Sequence, residues 1–358
     1  MGNSWSDAQI MMTLSGIAYY SDVNGQLKNP TYATGNDWSV VWGPVTDWYG
    51  NRAYVARSAS TGKYAVAIRG TETEFGWDAV VNMYEDLNVL WQSPWDYFFA
   101  SPGPMISRGA YTQVCYLLYD DTFGGLTLSD FLAGIPAEAP VAVTGHSLGG
   151  NLATVLGSFV SFVRGPQENA QDLVTEVYSF AAPSPGNQAF TDAYNARLTK
   201  SFRYWNARDI VPCAWDRVPD LYTIYDSVGI PTPYGLQTAI YAMYRALVTS
   251  EAWYNSYYKQ TNGDGNKLSS ELLPLTTDWT SEAIYQHGVN TYLGLLNAPP
   301  IQSSATLALD GLQATGSTIP RIPIAGAFDE KAPPNLAAQI SSFNMKSSRV
   351  ARVRGEFR

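Results

Sequence analysis

Short apolar runs alternate with segments of helical periodicity through the first two thirds of the chain. Residues 53–58 and 64–69 are apolar and are separated by Thr61 and Gly62, which predicts two strands joined by a hairpin. Further buried strands are predicted at 139–144, 174–180 and 202–206. Helical spacing predicts helices over 110–119, 129–133, 148–163 and 187–198, and an amphipathic helix from Trp77 to Trp91.

This alternation indicates the fold class and the domain organisation. Strands that alternate with helices predict an α/β fold, with a mostly parallel sheet covered by helices on both faces. We expect one such domain over residues 1–298. The alternation is lost between 213 and 280, and we interpret this region as an insertion, because 231–258 is helix-prone and crowded with aromatic residues. Residues 299–358 are expected to be a C-terminal extension rich in Ser, Thr, Ala and Pro.

Composition narrows the classes of ligand. The formal net charge of -9 disfavours binding to nucleic acid or an anionic membrane surface, and the 24 Tyr, 11 Trp and 13 Phe residues suit an apolar ligand. Two His and two Cys cannot form a zinc cluster of the common types, so no metal site is expected. Cys115 and Cys213 either form a disulfide or remain thiols. No uninterrupted run of 18 apolar residues occurs, so no transmembrane helix is expected.

One pentapeptide has the pattern of a catalytic nucleophile. Gly145-His146-Ser147-Leu148-Gly149 matches GxSxG and lies between a predicted strand and a predicted helix, as a nucleophile elbow does. Small neighbours permit a sharp bend at Ser147, and the start of the next helix directs backbone N–H groups toward a developing oxyanion. The sequence therefore predicts Ser147 as the nucleophile.

A serine hydroxyl needs a general base, and the chain offers two histidines. The side chain of His146 is expected to point away from its neighbour Ser147, which makes His287 the predicted base. The acid that orients the base is expected between Ser147 and His287 in the chain. Asp209 is the predicted acid because, among the acids in that interval, it alone directly follows a clear strand, and such loops meet at the carboxyl edge of a parallel sheet.

Two backbone N–H groups are needed to stabilise the oxyanion. Leu148, directly after the nucleophile, is expected to supply one. Thr71 leaves the predicted strand 64–69 through Gly70 and is expected to supply the other, with its hydroxyl as a further donor.

The order of these motifs resembles that of the class 3 lipases, the fungal triacylglycerol lipase and feruloyl esterase family of the α/β-hydrolase superfamily. The resemblance covers about residues 10–297 and rests on these blocks: Arg69-Gly70-Thr71, Gly145 to Gly150, Phe180-Ala181-Ala182-Pro183, Asp209-Ile210-Val211-Pro212 and His287. It implies an α/β-hydrolase fold with Ser147, Asp209 and His287 as the catalytic triad and Thr71 and Leu148 as the oxyanion hole. Arg108 departs from the pattern, because many members have histidine there.

The resemblance also implies a short amphipathic lid within residues 74–99 that opens at a lipid surface. The candidate lid and substrate-binding residues are Trp77, Trp91, Trp95, Phe98 and Phe99. A core helix would show the same periodicity, so both interpretations remain open at this point.

The expected function is that of a lipase, which hydrolyses acylglycerols through an acyl-enzyme on Ser147 and needs no cofactor. Phospholipase A1, feruloyl esterase and short-chain esterase remain alternatives, because the triad does not determine the acyl pocket. A catalytically silent lipid-binding protein is the alternative outside the enzymes. The expected partner is an ester or lipid at a lipid–water interface. Secretion, implied by the resemblance, and a cytoplasmic location both remain open, because the first 20 residues lack the basic region of a signal peptide.

Overall fold

A computed structural model of the protein describes residues 5–47, 50–70, 87–97, 103–166, 171–273 and 278–302. The strands within these ranges, numbered in chain order, are β1 (Trp38–Thr46), β2 (Arg52–Ser58), β3 (Tyr64–Ile68), β4 (Gln92–Pro94), β5 (Met105–Ser107), β6 (Thr122–Phe123), β7 (Leu126–Thr127), β8 (Val141–His146), β9 (Thr175–Phe180), β10 (Gly186–Asn187), β11 (Ser201–Asn206), β12 (Tyr258–Lys259) and β13 (Asn266–Leu268). The helices are α1 (Asp7–Ile17), α2 (Val23–Leu27), α3 (Arg108–Tyr119), α4 (Leu128–Ala133), α5 (Leu148–Arg164), α6 (Gln188–Arg197), α7 (Tyr234–Tyr254), α8 (Trp279–His287) and α9 (Val289–Leu295).

A seven-stranded sheet runs through the centre in the order β1-β2-β3-β8-β9-β11-β13. The first three strands pair antiparallel, which confirms the predicted hairpin at β2 and β3. All pairings from β3 to β13 are parallel. The mostly parallel sheet expected from the sequence is confirmed. A smaller sheet contains β12, β10, β5 and β4 in that order.

Helices cover both faces of the central sheet. Side chains alternate along β8, so that Val143 joins the core beneath α5 and Ala142 joins the core beneath α1. Helix α5 packs on β3, β8 and β9 from one side, and α1 packs on the same strands from the other. This arrangement brings the carboxyl ends of β3, β8 and β11 to one edge of the sheet, where the predicted site residues follow.

Helix α1 is absent from the sequence-based expectations because it is buried on nearly every side. Its polar residues do not form an outer face: the Thr13 and Ser15 hydroxyls donate to the Gln9 and Met11 carbonyl oxygens at 2.8 Å each. These bonds satisfy the hydroxyls inside the core, so the helix has no amphipathic period to detect. A capping box between Ser6 and Gln9 fixes its start.

The aromatic region at 213–280 differs in part from the expected insertion. It contains the predicted helix, as α7, but it also supplies β13, which extends the central sheet by pairing parallel with β11. With only three residues, β13 is too short for its sequence pattern to reveal it. Cys115 and Cys213 are not joined by a disulfide. Of the expected C-terminal extension, the structure describes only 299–302, where Ile301 is buried.

The predicted helix from Trp77 to Trp91 lies largely outside the described residues. Its described end, residues 87–90, is a turn instead of a helix, and Leu87 and Val89 are buried in the core. Residues after this turn form β4. Packing in the core, and not a helical arrangement, therefore accounts for the apolar residues Leu87 and Val89.

None of the described helices is both long enough and apolar enough to cross a bilayer. Within the same residues, His, Cys, Asp and Glu side chains do not gather in groups of three or more that could hold a metal ion.

Glu251 near the end of α7 gives a prediction about stability. Burial raises the pKa of its carboxyl from 4.5 to about 7, although the Tyr258 N–H donates to it at 2.9 Å. The folded state therefore binds more protons than the unfolded state between about pH 4.5 and 7. The contribution of Glu251 to the free energy of unfolding falls as pH rises through that window. We expect Glu251→Gln to gain in melting temperature relative to the parent protein as pH rises from 5 to 8. Exposed Glu271→Gln is the control, and an equal gain in that variant would contradict the prediction.

Candidate active site

Ser147 lies at a strained bend between β8 and α5. Its backbone has φ 63° and ψ −131°, a conformation that non-glycine residues rarely adopt. Its N–H donates to the Phe180 carbonyl oxygen at 2.9 Å, which fixes the bend to the end of β9. This is the geometry of a nucleophile elbow, at the residue that the GxSxG pattern predicts.

The glycines around Ser147 are required by close backbone packing. A Cβ at Gly145 would collide with the Gly149 carbonyl oxygen, and a Cβ at Gly149 would collide with the Ile68 carbonyl oxygen at the end of β3. The elbow is therefore in direct contact with the strand that leads toward Thr71. Any side chain at these two positions would push Ser147 out of place.

The predicted base and acid are in direct contact. The His287 Nδ1 lies 2.9 Å from Asp209 Oδ1 and 2.8 Å from Oδ2, and both side chains are fully buried. His287 is the last residue of α8, whereas Asp209 follows β11. Two elements distant in the chain thus place an imidazole on a carboxylate at the sheet edge that carries Ser147. Because Asp209 is fully buried, it is not a solvated loop carboxylate of the kind that would pair with Arg208 or Arg217 at the surface.

Two further donors hold the Asp209 carboxylate. The Val211 N–H donates to Oδ1 at 3.0 Å, and the Tyr292 hydroxyl donates to Oδ2 at 2.7 Å. Burial, together with the negative charge of Asp209, raises the pKa of Tyr292 well above its usual value, so this hydroxyl keeps its proton. Charge-assisted hydrogen bonds of this kind stabilise the carboxylate and fix its orientation. No sequence signal pointed to Tyr292.

A buried polar network fixes the helix that carries His287. The Asn206 amide nitrogen donates to the Gln286 side-chain oxygen at 2.6 Å, and the Gln286 amide nitrogen donates to the Glu282 carboxylate at 2.5 Å. Asn206 is the last residue of β11, so the network attaches α8 to the strand that precedes Asp209. The base and the acid therefore share one rigid support.

His146 connects the strand before Thr71 to the backbone of the base. The Gly70 N–H donates to the Tyr19 hydroxyl at 3.2 Å, and that hydroxyl lies 3.1 Å from His146 Nδ1. The other ring nitrogen, Nε2, donates to the His287 carbonyl oxygen at 2.8 Å. Burial first, and then the charge of His287, lowers the pKa of His146 well below 6.5, so the ring is neutral and Nδ1 accepts from Tyr19. The sequence predicted only that His146 would not act as the base.

The serine oxygen does not yet engage the base. Ser147 Oγ is buried and makes no hydrogen bond to the described residues. The rings of His146 and His287 are nevertheless adjacent, with centroids 4.7 Å apart, so the base lies beside the residue that precedes the nucleophile. Catalytic hydrogen bonds are often long in unliganded enzymes and shorten when substrate binds.

The oxyanion candidates are described only in part. Leu148 begins α5, so its N–H is among the first of the helix, which have no acceptor within it. Thr71 lies outside the described residues. Its neighbour Gly70 is so close to the elbow that an added Cβ would lie 3.0 Å from Ser147 Cβ. The strand end before Thr71 is therefore at the nucleophile.

The lid candidates divide into three groups. Trp77, Phe98 and Phe99 lie outside the described residues. Trp91 is partly exposed at the surface. Trp95 is buried, and its indole nitrogen donates to the Ser158 hydroxyl of α5 at 2.8 Å. Trp95 is thus a core residue and not part of an exposable cover, because its nitrogen has its hydrogen-bond partner inside the core.

Replacing His146 tests its role as a positioning residue. Because its pKa is lowered in the folded state, the unfolded state alone takes up a proton as pH falls below about 6.5, which costs at most about 1.4 kcal/mol of stability per pH unit. We expect His146→Gln, which retains a donor near the His287 carbonyl, to remove this acid-side loss and to keep most activity.

His146→Phe should lower kcat roughly a hundredfold through misplacement of His287. The measurements are urea unfolding from pH 5 to 8 and kcat on a soluble ester. Equal kcat in the two variants would contradict the positioning role.

Residues 65–216 match the model of the class 3 lipase family. Phospholipase A1-Igamma2, chloroplastic, from Arabidopsis thaliana is 23% identical over 216 residues, covering 55% of this chain and 40% of the relative. The chain thus spans about two fifths of the length of that relative. The crystal structure of M37 lipase superposes with a TM-score of 0.68 and 25% identity, covering 82% of this chain and 94% of that one. Lipase II from Rhizopus niveus gives a TM-score of 0.45 and 20% identity over 57% of this chain and 72% of that one.

Proposed function

We propose that the chain is a serine hydrolase of the class 3 lipase family that cleaves carboxylic esters, with acylglycerols as its substrates; the family match over residues 65–216 and the likeness to the M37 lipase fold support this. The observation that carries the proposal is the buried His287–Asp209 contact at the sheet edge that presents Ser147 on a strained bend. A buried carboxylate and imidazole beside a strained serine suit acyl transfer. The M37 lipase likeness supports the choice of lipid esters.

Each residue has a defined step in the proposed mechanism. Ser147 Oγ attacks the ester carbonyl while His287 Nε2 takes the serine proton, and Asp209 stabilises the resulting imidazolium. The N–H groups of Leu148 and Thr71 are proposed to hold the oxyanion. The imidazolium then protonates the departing alcohol. Water, deprotonated by the same imidazole, releases the acid and restores Ser147.

The remaining expectations about organisation are also proposals. We propose that residues 1–298 form the catalytic domain and that the lid lies within the interval 74–99, of which 74–86 and 98–99 fall outside the described residues. The described part of that interval supports a fixed attachment at its C-terminal end, because Leu87, Val89 and Trp95 are buried in the core.

A panel of nitrophenyl esters tests the substrate class. We expect kcat/KM to rise from the acetate toward long acyl chains, with a further rise in rate once the substrate exceeds its solubility limit. Esters of ferulic acid should be poor substrates by comparison. A steady decline from the acetate onward would contradict the lipase proposal and support a short-chain esterase.

Phospholipase A1 activity is a second candidate, supported by the named plant relative. Mixed micelles of a triacylglycerol and a phosphatidylcholine distinguish the two, because the released acid can be assigned to either substrate. Faster release from the sn-1 position of the phospholipid than from the triacylglycerol would favour this candidate. A catalytically silent lipid-binding protein would release no acid from either substrate.

A further inference from the structure

The outward side of α7 exposes large aromatic side chains. Tyr234 and Trp253 are each 85% exposed, and Tyr241, as well as Tyr257 just beyond the helix, is more than half exposed. Val248 is exposed beside them. We call these five residues the aromatic surface. Large apolar groups exposed together commonly mark an interaction site.

These side chains are not needed to hold the helix on the protein. A separate row on its inner side, Leu236, Ile240, Met243 and Leu247, is buried in the main core. Tyr234, Tyr241 and Val248 follow one another at intervals of seven, so they form one outer row. At about 100° per residue, Trp253 lies about 120° from this row, so the large apolar side chains flank an outer side of the helix that also carries the exposed Thr238 and Arg245. The helix therefore has one face for the core and another without a partner in the described structure.

The charged side chains of the segment that carries the aromatic surface favour contact with a lipid surface. Across residues 231–258 the charged side chains are Arg245, which is exposed, and Glu251, which is buried. The segment thus presents no exposed acid, although the chain has a net charge of -9. An acidic protein approaches a lipid surface at lowest cost through a face that lacks acidic groups. Tyr and Trp are the residues that prefer the boundary between water and hydrocarbon, because each combines an apolar ring with a polar tip.

A second copy of the chain fits this surface less well. Two paired helices need apolar residues at both the three- and four-residue spacings. Three exposed polar residues lie between the members of the outer row along the chain: Gln237, Thr238 and Arg245. A seam for another helix would be interrupted at each of them, whereas lipid headgroups accommodate such polar groups.

The end of α7 and the residues just after it are bonded to residues 89–92, which are described residues of the interval 74–99. The Ser250 hydroxyl donates to the Leu90 carbonyl oxygen, and the Tyr258 hydroxyl donates to the Val89 carbonyl oxygen at 3.0 Å. Gln92 and Ser256 bond each other twice, through the amide nitrogen to the Ser256 carbonyl at 2.9 Å and through the hydroxyl to Gln92 Oε1 at 2.5 Å. A lipid surface bound by α7 would therefore meet the protein directly beside residues 89–92.

We propose that the aromatic surface docks the enzyme onto an uncharged or zwitterionic lipid surface, and this inference rests on the proposed lipase function. Docking by a fixed helix would hold the enzyme at the interface before and after each turnover. The aromatic side chains would enter the headgroup layer, and Arg245 would contact headgroup phosphates.

Vesicle binding tests the proposal without turnover. The Ser147→Ala protein is sedimented with phosphatidylcholine vesicles and compared with a variant that also carries Tyr234→Ser, Tyr241→Ser and Trp253→Ser. We expect at least a tenfold loss of partitioning in the aromatic variant. The matched control carries Phe123→Ser, Leu126→Ser and Leu173→Ser, which remove three exposed apolar side chains elsewhere, and should change partitioning less than twofold. Unchanged binding in the aromatic variant, or an equal loss in the control, would overturn the proposal.

Activity with Ser147 present separates this inference from the proposed function. On dissolved nitrophenyl acetate, the aromatic variant should match the parent protein, because none of its changed residues is placed in the catalytic machinery. On emulsified long-chain ester, its rate should fall at least tenfold. A parent protein that hydrolyses neither ester would refute the proposed function, while the vesicle measurement would still decide the docking surface. If the changes dissociate a dimer and leave vesicle binding intact, the surface belongs to a second copy and the docking proposal is wrong.

Discussion

Ser147→Ala is expected to lower kcat for ester hydrolysis by about a million-fold without lowering the melting temperature. The hydroxyl is the proposed nucleophile, so no acyl-enzyme forms without it. Ser147 Oγ makes no hydrogen bond to the described residues, so its loss breaks none of their hydrogen bonds. Active-site titration measures formation of the acyl-enzyme, turnover of a nitrophenyl ester measures kcat, and thermal unfolding measures the melting temperature.

Exposed Ser39→Ala provides the matched control for this change and should keep full activity. Residual activity above about a thousandth of the parent value in Ser147→Ala would mean that another group attacks the ester.

Asp209→Asn is expected to lower kcat about ten-thousand-fold, because an amide cannot hold the imidazole in the required tautomer or stabilise its charged form. The carboxylate accepts hydrogen bonds from the His287 Nδ1, the Val211 N–H and the Tyr292 hydroxyl. An amide nitrogen that faced any of these donors would place two donors against each other. Steady-state kinetics on a soluble ester provide the measurement.

Tyr292→Phe is the graded comparison. It removes one of the donors to Asp209 and leaves the carboxylate, so we expect a loss on the order of tenfold, the value of one such hydrogen bond. A loss of less than tenfold in Asp209→Asn would show that Asp209 does not orient the base.

The sequence predicted β2, β3, β8, β9 and β11 of the central sheet because each is a short apolar run, but it did not predict β1 or β13. It predicted the contact between His287 and Asp209 because the choices were few: two histidines, one of them adjacent to the nucleophile, and an acid directly after a clear strand. Position along the chain was sufficient, since loops after parallel strands meet at one edge.

What escaped prediction has physical reasons. Helix α1 is buried on nearly every side, so it shows no polar face, and β13 is too short to have a pattern. Tyr19 and Tyr292 reach the site from distant helices or helix ends, and no local spacing signals such contacts. Trp95 was a lid candidate because it is one of several aromatic residues crowded together in the sequence, yet its indole donates inside the core. The crowding of aromatic residues in a sequence does not show which of them are buried in the core and which belong to a lid over the active site.

Labelling with a fluorophosphonate tests the pairing of Ser147 with His287 most directly. The reagent forms an adduct only with a serine whose proton can be taken. We predict that peptide mapping finds the adduct on Ser147 and that His287→Ala slows labelling at least a thousandfold, as expected for loss of the general base. An adduct on a different residue, or a His287→Ala protein labelled at the parent rate, would contradict the proposed site.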